Sequence, residues 1–340
     1  MRRRAVKQAS ILDVAKRAGV SKSTVSRALT DGRGVDELTR RKVLEAAHAL
    51  RYRPNTSARD LRAAGNGRIG MLVPSSHAND FMYRLNGQKL EGAVAAAGAL
   101  GYDVQMFVYD TSEVGRLDRV IMEKGLAGVL LLDYVEEDLL GCLVEYRIPA
   151  VQANWYVRQY EVPQLFVKTD LAEAVRLGME CLVANGYRRI GCHHAEELRL
   201  GDTVVSSAFD AAVARHGLEP TSRQLVGKSV DDVLRFVEQG RFDAFLSFDY
   251  TVSMRLYAWC RERHLRIPED LAVLSYEFFD FFDYVHPRLT GLRQEGERIG
   301  REAVEMLDAR IRGEAVESRL VPPRLVLRDS CGRESPAALR

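Results

Sequence analysis

From residue 68 onward, the sequence alternates between short apolar runs and longer amphipathic segments. The apolar runs have the length of buried strands: RIGMLVP, YDVQMFVY, LAGVLLLD, IPAVQAN, QLFVKTD, RRIGCHH, FDAFLSF and DLAVLSY. Apolar residues at helical spacing fill most of the intervals between these runs. This alternation is typical of parallel sheets that are covered by helices on both faces. The sequence therefore predicts an α/β body from residue 68 to about residue 330.

Open sheets of parallel strands bind ligands at the carboxyl ends of their strands. The residues that follow the predicted strands are therefore candidates for a small-molecule site: Ser75, Asp133, Asn154, Asp170, His193, Asp249 and Glu277. His193 is followed by His194, and adjacent residues on a strand point to opposite faces of the sheet. We therefore expect a structural or ligand-contacting role for His193 and no metal site.

The first 68 residues differ from the body in charge. They contain 17 Lys and Arg against 6 Asp and Glu, whereas the remaining residues contain 32 against 41. A cationic segment attached to an acidic body is typical of a protein that binds a polyanion through one end. Because apolar residues recur regularly through the cationic segment, the sequence favours a folded domain over a solvated basic tail.

The apolar pattern of this segment predicts three short helices. Ser10 is a suitable N-cap for the first helix, whose inner face would carry Ile11, Leu12, Val14, Ala15 and Ala18. Gly19 permits a tight turn, and Ser21 can cap a second helix with Val25, Ala28 and Leu29 inside. Asp36 can begin a third helix, whose inner face would carry Val43, Leu44, Ala46, Ala47 and Leu50. This order predicts a helix-turn-helix, whose second helix enters the major groove of DNA.

The second helix would turn four polar residues outward, namely Lys22, Ser23, Ser26 and Arg27. Short hydroxyl side chains let a helix approach DNA closely and bond to phosphates or base edges. Arg27 is the best candidate for a bidentate contact with guanine.

The stretch RYRPNTSARDLRAAGNG follows the three helices. Asn55 can cap a helix of about eight residues, which is marginal on its own in water. Leu61, with Arg59 near it, is a candidate wedge that unstacks a base step in the minor groove. A plain linker with a single leucine is the alternative interpretation.

Three stretches of the N-terminal segment, ILDVAKRAGVSKSTVSRAL, TRRKVLEAAHALRYRPN and ARDL, resemble the LacI/GalR family of bacterial transcription regulators. In the body, RIPEDLAVLSYE, HPRLTGLRQ and PPRLVLRDS resemble the same family. The resemblance implies base reading by Lys22, Ser23 and Arg27. It implies phosphate contacts or helix caps at Ser21, Thr24, Ser26 and Asn55, and hinge contacts in the minor groove at Ala58, Arg59 and Leu61.

The resemblance also implies an architecture. Residues 1–54 would form a small all-α helix-turn-helix DNA-binding domain, and residues 55–67 a hinge helix and linker. Residues 68–330 would form an α/β effector-binding and dimerisation domain with the two-lobed type I periplasmic-binding-protein-like fold and parallel sheets. One lobe would span about 68–160 with 293–320 and the other 165–290, leaving 331–340 as a tail. Such a regulator acts as a cytoplasmic homodimer on a pseudo-palindromic operator in double-stranded DNA and is not a membrane protein.

In the family a small-molecule effector binds in the cleft between the lobes, which adds Phe81, Val205 and Phe248 to the candidate effector contacts. This sequence departs from the family there, because Val205 stands where several members have an arginine and Phe248 where an asparagine is common. Three interpretations stay open: a sugar or sugar derivative, which is favoured; an apolar or aromatic metabolite; and a degenerate effector site.

Other classes of protein fit the sequence less well. No catalytic motif is found, and the Gly65–Gly70 match to G-x-G-x-x-G follows a helix and precedes a strand, which is the reverse of a dinucleotide site. The five cysteines are scattered, which favours a reducing compartment. We therefore expect a repressor-type regulator without a cofactor; a solute-binding protein or an α/β enzyme is a more remote alternative.

Overall fold

The fold is described from a computed structural model of the chain. It covers residues 10–30, 34–50, 52, 67–74, 84–109, 121, 124–132, 137–153, 164–194, 201–218, 223–226, 228–276 and 280–332. The chain forms two compact units. Unit 1 comprises Met1–Asn154, Tyr160–Val167 and Glu297–Ser318, and unit 2 comprises Trp155–Gln159, Lys168–Gly296 and Arg319–Arg340.

Unit 1 begins with three helices, α1 (Ile11–Ala18), α2 (Lys22–Thr30) and α3 (Glu37–Ala49), which we call the head. Their common core contains Val14, Val25 and Val43, all with no exposed surface. The predicted starts are confirmed, since Ser10 and Asp13 form a capping box on α1 and the Asp36 carboxylate accepts a hydrogen bond from the Thr39 amide at 3.0 Å. Gly19 ends α1 at φ +69°, a backbone conformation that glycine adopts without strain.

Leu12 differs from the prediction, because its side chain is 62% exposed. The inner face of α1 follows Ile11, Val14, Ala15 and Ala18, which is the i, i+3, i+4, i+7 stripe of an amphipathic helix. Leu12 lies one position outside this stripe and therefore faces away from α2 and α3.

The body is built from alternating strands and helices, as predicted. After the head, the elements are, in chain order, β1 Arg68–Pro74, α4 Arg84–Ala99, β2 Asp103–Tyr109, β3 Gly128–Leu131, α5 Glu137–Glu145, β4 Ala150–Ala153, β5 Phe166–Thr169, α6 Leu171–Ala184, β6 Ile190–His194, α7 Gly201–His216, β7 Arg223–Val226, α8 Val230–Glu238, β8 Ala244–Ser247, α9 Tyr250–Glu262, β9 Ala272–Ser275, a 3-10 helix Asp280–Tyr284, β10 Thr290–Arg293, α10 Gly296–Ile311, β11 Arg319–Val321 and β12 Arg324–Val326.

The strands form two six-stranded sheets. The first sheet has the order β11-β5-β4-β3-β1-β2 and the second β12-β10-β9-β8-β6-β7. Neighbouring strands from β1 to β5, and from β6 to β10, pair in parallel, whereas β12 pairs antiparallel to β10. The parallel α/β architecture predicted from the alternating sequence is thus confirmed.

The second sheet packs on one side against α6 and α7. Their buried side chains include Val175, Leu182 and Phe209, which join Leu246 and Leu274 of the sheet in one core. Cys331, which the sequence places in a polar tail, has no exposed surface and belongs to this core. Among the described helices, none is long and apolar enough to cross a membrane.

Candidate nucleic-acid interface and effector site

Three hydroxyl groups cluster at the first turn of α2. The Ser21 hydroxyl accepts a hydrogen bond from the Thr24 amide at 3.1 Å, which caps the helix as predicted. It also lies 2.8 Å from the hydroxyls of both Ser23 and Thr24. Hydroxyl and amide donors at a helix N-terminus, where the helix dipole is positive, suit contacts with phosphate oxygens.

The rest of α2 separates an inner face from an outer one. Val25 is fully buried and Ala28 is 2% exposed, whereas Lys22, Ser23, Ser26 and Arg27 are all exposed. The Arg27 Nε atom donates to the Ser23 carbonyl at 3.4 Å, so the guanidinium lies along the outer face toward the start of the helix. The sequence prediction for these four residues agrees with this placement: they form one exposed surface of cations and hydroxyls.

Other predicted residues lie outside the described part of the chain. For the DNA contacts these are Asn55, Ala58, Arg59 and Leu61, and for the effector site Ser75, Phe81, Asp133, Asn154 and Glu277.

In unit 2, three polar side chains lie in register at the carboxyl ends of neighbouring strands. His193 of β6 pairs with Ser247 of β8, which pairs with Ser275 of β9. We call these three residues the polar row. His193 is 4% exposed, and the two serines have no exposed surface. The two serines were missed from the sequence because they are the last residues within their strands, whereas the prediction took the residues that follow.

A hydrogen bond of the His193 ring indicates which of its nitrogen atoms carries the proton. Its Nε2 atom lies 3.0 Å from the Lys228 carbonyl, which can only accept, so Nε2 carries the proton. Burial lowers the pKa of the His193 imidazole below its ordinary value, which favours the neutral ring. In that tautomer Nδ1 is an acceptor, and neither Nδ1 nor the Ser275 hydroxyl has a hydrogen-bond partner among the described residues. The polar row therefore contains a buried acceptor and a buried hydroxyl whose hydrogen-bonding capacity is not used by the described residues.

Asp249 lies beside the polar row and caps α9. Its Oδ1 atom accepts hydrogen bonds from the Thr251 amide at 2.8 Å and the Thr251 hydroxyl at 2.6 Å. The Ser247 hydroxyl donates to the Asp249 carbonyl at 2.7 Å, so this serine is occupied internally. Asp170, another predicted candidate, caps α6 by accepting from the Glu173 amide at 3.0 Å.

Two predicted effector contacts are instead part of the core of unit 2. Val205 has no exposed surface and packs in the same cluster as Phe209. The Phe248 ring is 7% exposed and stacks on the Tyr276 ring, with 4.7 Å between centroids. Apolar side chains at these two positions gain more from packing within this core than from lining a polar site, so both residues are buried.

His193 and His194 have separate partners, as expected for adjacent strand residues. The His194 Nε2 atom lies 3.3 Å from the Gln224 Oε1 atom and 3.4 Å from the Ser206 hydroxyl. Among the described residues, no group of three or more His, Cys, Asp or Glu side chains is arranged to hold a metal ion.

Comparison with known proteins relates both parts of the chain to bacterial regulators. Residues 10–55 match the family model of bacterial regulatory proteins, lacI family, and residues 179–331 match the periplasmic binding protein-like domain. A curated relative is the HTH-type transcriptional repressor PurR of Photobacterium profundum. It is 27% identical over 337 residues, covering 95% of this chain and 98% of the relative.

Solved structures show the same fold. The complex of the transcriptional regulator CelR with cellobiose superposes with a TM-score of 0.67 at 23% identity, covering 95% of this chain and 99% of that one. The lac repressor dimer bound to operator and the anti-inducer ONPF superposes with a TM-score of 0.63 at 22% identity, covering 96% and 99%. With its helix-turn-helix head and its α/β body both matched, the chain belongs to the LacI/GalR family of bacterial transcriptional regulators.

Proposed function

We propose that this chain is a sequence-specific transcriptional repressor that reads the major groove of DNA through the outer face of α2 and responds to a small-molecule effector. The observation that carries the proposal is the exposure of Lys22, Ser23 and Arg27 on one face of a helix whose opposite face is fully packed. The relatives named as transcriptional repressors support the same conclusion.

Each part of this face has a distinct role in the proposal. Arg27 and Lys22 contact guanine edges, since O6 and N7 of guanine accept from these side chains, and Ser23 is short enough to let the helix approach. Ser21, Thr24 and Ser26 bond to phosphates and fix the register of the helix on the duplex. The residues outside the described ranges keep their expected roles, with Asn55 as a cap or phosphate contact and Ala58, Arg59 and Leu61 in the minor groove.

We further propose that the chain acts as a homodimer on a pseudo-palindromic operator. The solved lac repressor neighbour is a dimer on its operator, which supports this arrangement. In this chain β2 is an edge strand of the first sheet, and its residues Met106 and Val108 are 48% and 56% exposed. Edge strands with exposed apolar residues are costly unless another chain covers them. A second copy of the chain is the partner that accounts for this surface.

For the effector, the geometry supports a sugar or sugar derivative. Sugar hydroxyls both donate and accept hydrogen bonds, so one can donate to the His193 Nδ1 atom while another exchanges a hydrogen bond with the Ser275 hydroxyl. The neighbour solved with cellobiose supports this class of ligand. An aromatic effector has less support, because Phe248 and Tyr276 stack on each other within the core. The other sequence-predicted effector contacts remain part of the proposal: Ser75, Phe81, Asp133, Asn154, Asp249 and Glu277.

The experiment that tests the regulator is selection of duplexes from a random library, followed by fluorescence anisotropy with the enriched sequence and a scrambled competitor. We expect preferential binding of a sequence with two related half-sites. Lys42→Ala is a matched control, because it removes an exposed cation from α3 rather than α2, and should weaken both duplexes equally. Enrichment of no sequence, with or without a panel of mono- and disaccharides, would refute the proposal.

A further inference from the structure

Two cysteines that are far apart in the sequence face each other inside unit 2. Cys181 lies on α6, and Cys331 follows β12 near the end of the described chain. Both are free thiols with no exposed surface, and their sulfur atoms are 3.6 Å apart. This distance is that of a thiol–thiol hydrogen bond and exceeds the disulfide length by about 1.5 Å.

The backbone on both sides of the thiol pair is firmly held. The Ser330 hydroxyl accepts from the Thr290 amide at 2.9 Å and donates to the Val273 carbonyl at 2.6 Å. On the other side, the Asn185 side-chain amide donates to the Cys181 carbonyl at 2.8 Å. The chain segments that carry the two thiols are therefore held opposite each other, and about 1.5 Å remains to be closed between the sulfur atoms.

The surroundings favour one of the two thiols as the nucleophile. Hydrogen bonds from the Cys181 thiol and the Thr290 hydroxyl lower the pKa of the Cys331 thiol against the opposing effect of burial. The pKa of Cys181 is raised by the same hydrogen bond and by burial. Since the thiolate is the reactive form, these directions favour Cys331 as the attacking thiol and Cys181 as the resolving thiol.

We propose that Cys181 and Cys331 form a redox-active dithiol, which hydrogen peroxide converts into an intramolecular disulfide. The Cys331 thiolate attacks one oxygen of the peroxide. Cys331 thereby becomes a sulfenic acid, and hydroxide leaves. The Cys181 thiol then displaces the sulfenic oxygen as water, so that two thiols and one peroxide yield one disulfide and two waters.

A small oxidant can reach the pair through local opening at the sheet edge. β12 is the terminal strand of the second sheet and the segment that carries Cys331 follows it, so opening requires the hydrogen bonds of Ser330 with Thr290 and Val273 to break transiently. Closing the disulfide then ties α6 to this segment. The same chemistry is not expected of Cys192 and Cys260, which are also buried but make no thiol–thiol hydrogen bond among the described residues.

Peptide mapping of the full-length protein tests this directly. The reduced protein is treated with a few equivalents of hydrogen peroxide, quenched, denatured, alkylated with iodoacetamide and cut with trypsin without reductant. Arginines separate the cysteines, so Cys181 falls in peptide 177–188, Cys192 in 190–199 and Cys331 in 329–333. We expect a linked 177–188/329–333 pair, which dithiothreitol reverses, and full alkylation of Cys192. Free Cys181 and Cys331 after treatment, or oxidation to separate sulfinic acids, would overturn the proposal.

Variants and stability add a second measurement. Cys331→Ser should abolish the linked peptide, whereas the matched Cys192→Ser should retain it. A disulfide that spans 150 residues constrains the unfolded chain, so peroxide should raise the unfolding midpoint of the wild type by roughly 5 °C. If Cys331→Ser does not fold, the wild-type peptide map alone decides. An unchanged midpoint in protein whose linked peptide is complete would refute the structural consequence.

Discussion

Gly92 of α4 and Gly300 of α10 occupy reciprocal positions in the contact between these two helices of unit 1. A Cβ atom on Gly92 would lie 1.9 Å from the Glu297 carbonyl oxygen, and one on Gly300 would lie 1.9 Å from the Lys89 carbonyl oxygen. Each helix therefore uses a glycine to admit the backbone of the other. No side chain, not even a methyl group, fits at either position without moving a helix.

Replacing Gly92 with Ala should accordingly destabilise unit 1. The helices must separate, and overpacking of this kind costs about 1–3 kcal/mol. Chemical unfolding monitored by circular dichroism measures the loss. Gly98→Ala on the same helix is the matched control, since its added Cβ meets no atom within 4 Å. It should stabilise α4 by about 0.5–1 kcal/mol through helix propensity. Equal effects of the two substitutions would contradict the reciprocal contact.

Replacing Arg27 with Ala should cost about 1–3 kcal/mol of specific DNA binding and relax the preference at one base pair in each half-site. The reason is that the arginine fork fits guanine O6 and N7, which the methyl group of alanine cannot contact. Anisotropy titrations with the selected duplex and its single-base variants at two salt concentrations measure both effects. A variant that binds every duplex with wild-type affinity and salt slope would show that Arg27 does not read bases.

Replacing Ser21 with Asp separates the two roles proposed for this residue. Aspartate is as good an N-cap as serine, so the thermal stability of the head should stay within about 0.5 kcal/mol of wild type. The new carboxylate would, however, repel a phosphate at the start of α2, and DNA binding should weaken for all sequences. Ser21→Ala provides the comparison, because it removes the cap and should cost about 1 kcal/mol of stability. If Ser21→Asp binds DNA like the wild type, no phosphate lies at this turn.

The sequence was sufficient to predict the head and the parallel body. The caps at Ser10, Ser21 and Asp36 work through local hydrogen bonds over three residues, and the buried strands are visible as continuous apolar runs. Leu12 was misplaced because an extra apolar residue beside the inner stripe leaves the helical pattern ambiguous by one position. The strands β7, β10, β11 and β12 are absent from the predicted apolar runs because they are short; β7, for example, is RQLV and includes only two apolar residues.

The effector site was less predictable for a different reason. The rule that ligands bind beyond strand ends selects positions, yet it cannot tell which side chain points into a site and which one packs inside. Val205 and Phe248 pack inside because they are apolar, while Ser247 and Ser275 became visible only through the register of β6, β8 and β9. The Cys181–Cys331 pair is likewise a tertiary contact across 150 residues, for which no local pattern exists.

His193 should make the stability of unit 2 fall in mild acid. Burial lowers its pKa in the folded protein below the ordinary value of 6.5, so the unfolded chain binds the proton more readily. The free energy of unfolding is therefore at its full value above about pH 6.5. It decreases as the pH falls from there through the lower, folded-state pKa of His193. His193→Gln, which does not titrate, should flatten this part of the pH profile. Urea unfolding between pH 7.5 and pH 5 measures the slope for both proteins, and His264→Gln is the control because that histidine is exposed. If wild type and His193→Gln show the same slope of unfolding free energy against pH, while His264→Gln shows a smaller one, the buried imidazole does not govern the acid response.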